Sequence, residues 1–237
     1  DLPVKLLMQN LMNQTSVCFD TETTGIDALN AELVGLALSW EKGKAFYVPF
    51  PENQEEARAL AEKFIPFFEN KTIEKIGQNI KYDLLILKWY GIEPKGGLFD
   101  TMLAHYVIEP EGRRSMDLLS AQYLGYEPVS IETLIGKKGK NQLSMGDLEP
   151  IQICDYACED ADITMQLKEL FEPEMQKPHL KELFYAVEMP LVDVLMHMER
   201  EGIAIDSENL HAFSTDLAKD IARLETQILE HAGVDFN

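Results

Sequence analysis

The sequence predicts an α/β fold, a mixed sheet flanked by helices, followed by a purely helical segment. Three observations predict it. Three apolar strand-like runs lie close together between Ser16 and Phe50, the last two joined only by Glu41-Lys42-Gly43-Lys44, short enough for an antiparallel hairpin. Helical and strand-like patterns then alternate as far as Phe171. Beyond Pro173 and Pro178 only helical periodicity remains.

Taken in order, residues 16–19 read as a buried strand running into Asp20, residues 33–40 as a second strand and 45–50 as a third. Asn53 opens a helix as N-cap, and Glu56 three residues on completes a pattern like a capping box. Ala57, Leu60, Ala61, Phe64 and Ile65 keep one face of that helix inward until Pro66 kinks or ends it. Residues 72–76 form a short strand, and 80–90 a helix closed by Gly91 and capped by Asn79. Leu98-Phe99 leads into a helix over 101–108, and another helix lies near 116–123.

A long helix starts near Leu148, with Pro150 tolerable in its first turn. Ile151, Cys154, Cys158, Ala161, Met165 and Leu167 supply its apolar stripe, while Asp155, Glu159 and Asp162 read as solvated charges. Two further helices are expected over 179–201, closed by Gly202, and 207–232, N-capped by Asp206 and closed by Gly233. The second would be about 39 Å long, more than the preceding domain needs. The pair is read as the opening of another domain, with a boundary between residues 176 and 177.

Of the 237 residues 46% are apolar, enough for a sizeable core. No run of 18 uncharged apolar residues occurs, so no membrane span is expected. The opening Asp1-Leu2-Pro3, in place of Met, is expected of an excised or processed chain. Cys18, Cys154 and Cys158 lack CxxC spacing and read as small buried side chains in a reducing cytosol. A net charge of −20 argues against a chain that grips nucleic acid through its own cations. Divalent ions, or a neighbouring basic domain, would have to supply the positive charge.

Asp20 and Glu22 end an apolar strand two residues apart, so their side chains share one face. Side by side they raise each other's pKa unless a cation lies between them. Either a solvated strand end or a cation site fits that pair. Asp83 falls in the first turn of its helix, where a carboxylate also suits the helix dipole. Tyr156 and Asp160 lie four apart on one helical face, a spacing that packing alone can produce.

The order D-x-E at a strand end, N-x-x-x-D opening a helix and Y-x-x-x-D late in the chain resembles the three motifs of the DEDD exonuclease superfamily, in its tyrosine-containing branch. Lys81-Tyr82-Asp83, Phe99-Asp100-Thr101-Met102 and Tyr156-Ala157-Cys158-Glu159-Asp160-Ala161-Asp162 are similar to the proofreading 3′-5′ exonuclease domains of bacterial family A DNA polymerases. The likeness continues into Glu188-Met189-Pro190-Leu191 and residues 199–206, which resemble the opening of the polymerase domain in that family.

The resemblance implies a ribonuclease H-like fold and two Mg2+ or Mn2+ ions, since an all-oxygen ligand set suits hard cations. Asp20 would bridge the ions, Glu22 and Asp160 would bind the first, and Asp83 would act on the second through water. Such ions, about 3.5–4 Å apart, flank a scissile phosphate. Tyr156 would position the attacking water. The implied substrate is single-stranded DNA or a frayed primer 3′ terminus, held by Thr23, Ile26, Gln78, Asn79, Tyr82 and Arg113, with Arg114 as an alternative phosphate contact and Ile26 as an apolar wedge. Asp100 and Asp117 are expected to serve structure. A monomeric, cytoplasmic, nucleoid-associated protein joined to a polymerase domain is implied. An RNA-trimming exonuclease of the same superfamily and a non-catalytic scaffold are the competing readings.

Overall fold

Five strands, β1 (Ser16–Thr23), β2 (Leu33–Glu41), β3 (Lys44–Pro49), β4 (Glu74–Gly77) and β5 (Leu98–Asp100), form one sheet in the computed structural model, which describes residues 2–234. Their order is β3-β2-β1-β4-β5. β1 with β2 and β2 with β3 are antiparallel, while β1 with β4 and β4 with β5 are parallel. This is the mixed sheet expected from three closely spaced strands followed by alternation. From the sequence β5 is expected only as a lead into a helix, because three residues are too few to show a period of two.

The helices are α1 (Leu2–Leu11), α2 (Gln54–Ala61), α3 (Ile65–Phe68), α4 (Ile80–Trp89), α5 (Thr101–Ile108), α6 (Met116–Leu119), α7 (Glu132–Ile135), α8 (Pro150–Phe171), α9 (Pro178–Leu183), α10 (Met189–Glu201) and α11 (Ser207–Ala232). The chain divides into two units, residues 1–200 and 201–237. In the first, Val17, Cys18 and Phe19 of β1, Leu36 and Leu38 of β2, and Ile76 of β4 are buried together with Ala157, Ala161 and Leu167 of α8. Phe184, Met189, Val192 and Met196 belong to the same core. In the second unit Asp206 caps α11 by accepting from the Asn209 N–H at 3.0 Å, and Gly233 ends it at a φ of 67°. No helix of the described residues is long and apolar enough to cross a membrane.

Several local expectations are met in modified form. The Asn53 side chain accepts from the Glu55 and Glu56 N–H groups, as a cap should. Pro66 falls in the first turn of α3, after a 3-10 turn over Glu62–Phe64 has interrupted the helix. α1 is not expected from the sequence pattern; it is held by Leu7 and Leu11, which are buried.

The stripe expected on α8 holds in its second half, where Ala161, Met165 and Leu167 are buried, and is corrected in its first: Ile151 is 80% exposed, Cys154 and Cys158 are only partly buried, and Ile153 and Ala157 take the inward positions. Glu159 and Asp162 are not solvated charges either. Glu159 accepts from Tyr126 Oη at 2.5 Å and the Val129 N–H at 2.7 Å, and Asp162 from the Gly43 N–H at 2.6 Å. Both tie α8 to segments distant in the chain, and periodicity carries no information about such partners.

Asn79 is also corrected. It occupies the N-cap position of α4 in the left-handed region, φ 59°, but its side chain makes no capping bond. Asp100 takes that role from across the sheet, accepting from the Asn79 N–H at 3.1 Å and the Ile80 N–H at 2.9 Å. The same carboxylate caps α5 through the Met102 and Leu103 N–H groups at 2.8 and 3.3 Å. One buried aspartate therefore satisfies donors at two helix starts that backbone bonds leave open.

Candidate active site

β1 delivers Asp20 and Glu22 to the same face, and its antiparallel partner places the small residues Ala37 and Gly35 opposite them. α8 packs across this part of the sheet and brings Asp160 to the pair. One carboxylate oxygen from each of Asp20, Glu22 and Asp160 lies within 4.8 Å of the other two. Glu22 and Asp160 are buried and Asp20 is half-buried. Among the described residues no other set of three histidine, cysteine or acidic side chains is gathered this way.

Asp83 is not a member of that trio but stands beside it. Its Oδ1 accepts two hydrogen bonds from Thr21, the residue between Asp20 and Glu22. Burial raises its pKa well above the ordinary carboxylate value, the Asp20 charge raises it further, and the Thr21 bonds act in the opposite direction.

The electrostatics of the group are unfavourable without a cation. Burial pushes Asp20 up to about 6 and, with the Asp20 charge added, Asp160 up to about 8. Glu22 rises for the same reasons, burial first and then Asp20, Asp160 and Asp83. Glu22 Oε1 is buried and has no hydrogen-bond partner. A buried anionic oxygen without a donor is costly, and a divalent ion among three carboxylates removes that cost. The residues present therefore fit a hard divalent cation at Asp20, Glu22 and Asp160.

Tyr156 lies one turn before Asp160 on α8, and its hydroxyl is driven to a higher pKa by burial and then by the Asp160 and Glu22 charges. It is a neutral hydroxyl at the edge of the carboxylates.

The remaining expected residues separate into two groups. Thr23, Ile26, Asn79 and Tyr82 lie together at the open end of β1: Tyr82 Oη is 2.5 Å from Thr23 Oγ1 and donates to the Gly25 carbonyl at 2.5 Å. Ile26, Asn79 and Tyr82 line one shallow cleft, and Ile26 is 95% exposed. Gln78 and the arginines lie toward the 110–114 loop. The Gln78 amide is engaged internally, accepting from Thr101 Oγ1 and donating to the Arg114 carbonyl at 3.0 Å. Arg114 stacks over Tyr106 at 4.7 Å and donates to the Pro110 carbonyl, whereas Arg113 is exposed. Of the two, Arg113 has the freer guanidinium.

Two residues at the site were not singled out by the sequence. Thr21 could have been found, since a hydroxyl between two strand-end acids points away from them toward the next element. Tyr47 of β3 could not. Its pKa is raised by burial and then by Glu22, and its ring lies over Gly35, where a Cβ would come within 2.2 Å of it. Only the hairpin register brings these three residues together.

Residues 4–176 match the model of a protein family described as 3′-5′ exonuclease. The chain is 36% identical over 245 residues to DNA polymerase I of Rhizobium leguminosarum, covering 93% of this chain and 24% of that protein. It is 34% identical to DNA polymerase I of Pseudomonas aeruginosa, covering 97% of this chain and 26% of that one. The chain thus spans about a quarter of the length of these relatives. Among solved structures, the POL domain of Pol1 from M. smegmatis in complex with DNA primer-template and dNTP superposes with a TM-score of 0.78 at 20% identity, covering 99% of this chain and 37% of that one. Brucella melitensis NrnC with bound Mg2+ superposes at 0.61 and 18% identity, covering 82% and 91%. The fold is a ribonuclease H-like mixed sheet flanked by helices. With a family match over most of its length and relatives above 30% identity, the chain belongs to the 3′-5′ exonuclease family of the bacterial DNA polymerase I proteins.

Proposed function

We propose that the chain removes 5′-mononucleotides from single-stranded or frayed DNA 3′ ends, as the proofreading part of a DNA polymerase I. The observation that carries the reading is the trio Asp20, Glu22 and Asp160 within 4.8 Å, with Glu22 Oε1 buried and unpaired. Asp20, Glu22, Asp83 and Asp160 would hold two Mg2+ or Mn2+ ions. When bound, these supply the positive charge that activates water and stabilises the departing oxygen at a phosphodiester.

The side chains supply orientation. Tyr156, kept neutral by burial and by Asp160, offers a hydroxyl that hydrogen-bonds a water beside the scissile phosphate, as in the tyrosine-containing branch. Thr21 fixes the rotamer of Asp83. Ile26 presents an apolar face for the terminal bases, while Asn79 and Tyr82 line the cleft, Thr23 holds the Tyr82 hydroxyl and Arg113 meets a phosphate. Gln78 acts by holding the loop that carries Arg113.

Residues 177–237 are assigned as the helical start of the polymerase domain. Leu210, Phe213, Leu217, Ile221, Leu224 and Ile228 recur at helical spacing on α11, and each is at least 46% exposed, the pattern of a helix whose partner lies elsewhere. A monomeric, cytoplasmic, nucleoid-associated enzyme follows from this reading.

Asp20→Ala combined with Asp160→Ala tests it. Magnesium-dependent release of 5′-mononucleotides from single-stranded DNA should vanish while the circular dichroism spectrum stays unchanged. Undiminished release by the double variant ends the assignment. Matched RNA and DNA strands separate a DNA enzyme from an RNA-trimming one.

A further inference from the structure

The cleft beside Tyr82 carries a charge pair that the mechanism above does not use. It encloses about 360 Å³, and of the residues lining it Lys81 is the only cation, against the anions Asp27 and Glu199. Lys81 Nζ donates to Glu199 Oε1. The pair is open to water, with side chains 30% and 45% exposed, so the bond exchanges readily for another anion.

Glu199 is not there by the chance wandering of a surface side chain. It sits in the last turn of α10, and the residues around it fasten that helix to α4. Lys88 Nζ lies 3.0 Å from His197 Nε2, the Arg200 guanidinium lies 5.3 Å over the Trp89 ring, and Met196 is buried. α4 is the helix that carries Lys81, Tyr82 and Asp83. The carboxylate is therefore held over the cleft that Ile26, Asn79 and Tyr82 line.

We propose that Glu199 is an electrostatic gate on this cleft: through Lys81 it occupies the position where a backbone phosphate of an incoming single strand is neutralised, and it releases Lys81 only when that phosphate arrives. The inference rests on the exonuclease reading and names the group that tunes substrate access to it. Bases lie against Ile26 and Tyr82, and the phosphate between them replaces Glu199 on the lysine. A strand too short or too stiff to place a phosphate there meets the repulsion of Glu199 and Asp27. In a chain of net charge −20, an acid that masks a cation at the cleft limits idle binding of single strands.

The test is equilibrium binding of a fluorescein-labelled single-stranded oligothymidylate in EDTA, across a salt series, with Glu199→Gln, Lys81→Gln and the double variant. Glu199→Gln should bind about threefold tighter or more, the size expected for releasing one exposed ion pair. Lys81→Gln should flatten the log–log salt dependence by about 0.7, one lost phosphate contact on a single strand. Lys81→Gln should bind more weakly, and the double variant no tighter than Lys81→Gln alone. In magnesium, Glu199→Gln should lower KM and leave kcat unchanged, with an unchanged melting temperature. Equal or weaker binding by Glu199→Gln overturns the gate, as does a gain that persists without Lys81. A wild-type chain that digests DNA while Glu199→Gln is silent removes the gate alone. A wild-type chain that neither binds nor digests the strand removes the exonuclease reading and the gate with it.

Discussion

Thr21 donates two hydrogen bonds to a single oxygen of Asp83, from its backbone N–H at 3.0 Å and from its hydroxyl at 2.5 Å. The two residues are 62 positions apart, one on the strand of Asp20 and Glu22 and the other in the first turn of α4. The contact fixes Asp83 relative to the other three carboxylates. Thr21→Val keeps the shape and the backbone donor but removes the hydroxyl. A hydrogen bond to a charged group is worth about 1.5–3 kcal/mol, so kcat should fall roughly ten- to hundredfold with KM little changed. Thr21→Ser should restore it, and single-turnover kinetics would check both.

The carboxylates make stability depend on pH in a defined direction. Asp20 is raised from 3.8 to about 6 and Asp160 from 3.8 to about 8. Because the folded values lie above the unfolded ones, the stability these groups contribute is fully present below about 3.8 and is lost as pH rises through 6 and then 8. In chelator at pH 8, Asp160→Asn should therefore melt higher than the wild type, and the two should converge toward pH 4. Added magnesium should reverse the order at pH 8, raising only the wild type strongly. Scanning calorimetry with and without EDTA reads both effects.

Asp100 holds two helix starts, and its removal should cost stability before chemistry. Each cap is worth about 1 kcal/mol, so Asp100→Ala should lose about 2 kcal/mol or more in urea unfolding. Asp100→Asn keeps one acceptor oxygen and should lose less. A variant that unfolds at the wild-type urea midpoint would contradict the double-cap geometry.

Gly35→Ala should displace Tyr47 from its place beside Glu22, since the new methyl carbon would lie 2.2 Å from the ring as it now stands. Overpacking of this kind costs about 1–3 kcal/mol. Pairing with Tyr47→Phe, which leaves the ring in place, should not relieve the loss, whereas Tyr47→Ala should. Thermal melts of the single and double variants decide it.

Ile26, at 95% exposure, contributes nothing to the core. Ile26→Ala should leave the melting temperature unchanged and weaken binding of a frayed 3′ end by about fivefold, the loss of roughly 1 kcal/mol of apolar contact. An unchanged affinity would show that the wedge role belongs to another side chain.

How far the chain was readable residue by residue follows from the range of each interaction. Period-two alternation put Asp20 and Glu22 on one face, and helical spacing put Tyr156 over Asp160; both patterns depend on neighbours within four residues. The caps at Asn53 and Asp206 were legible for the same reason. Local sequence points to Asn79 as the cap of α4, whereas a side chain from another strand, Asp100, outcompetes that local candidate. Glu159 and Asp162 looked solvated because their donors, Val129 and Gly43, are 30 and 119 positions away.

The chain's local chemistry was thus enough to specify a mixed sheet, the strand that carries two acids, and the helices that carry the others. Convergence of Asp160 on Asp20 and Glu22, the clamp of Thr21 on Asp83, and the Gly35–Tyr47 packing beside Glu22 arose only when the elements closed on one another. The physical reason is that backbone periodicity orients a side chain with respect to its own element, whereas burial, unpaired oxygens and mutual carboxylate repulsion are properties of the space between elements.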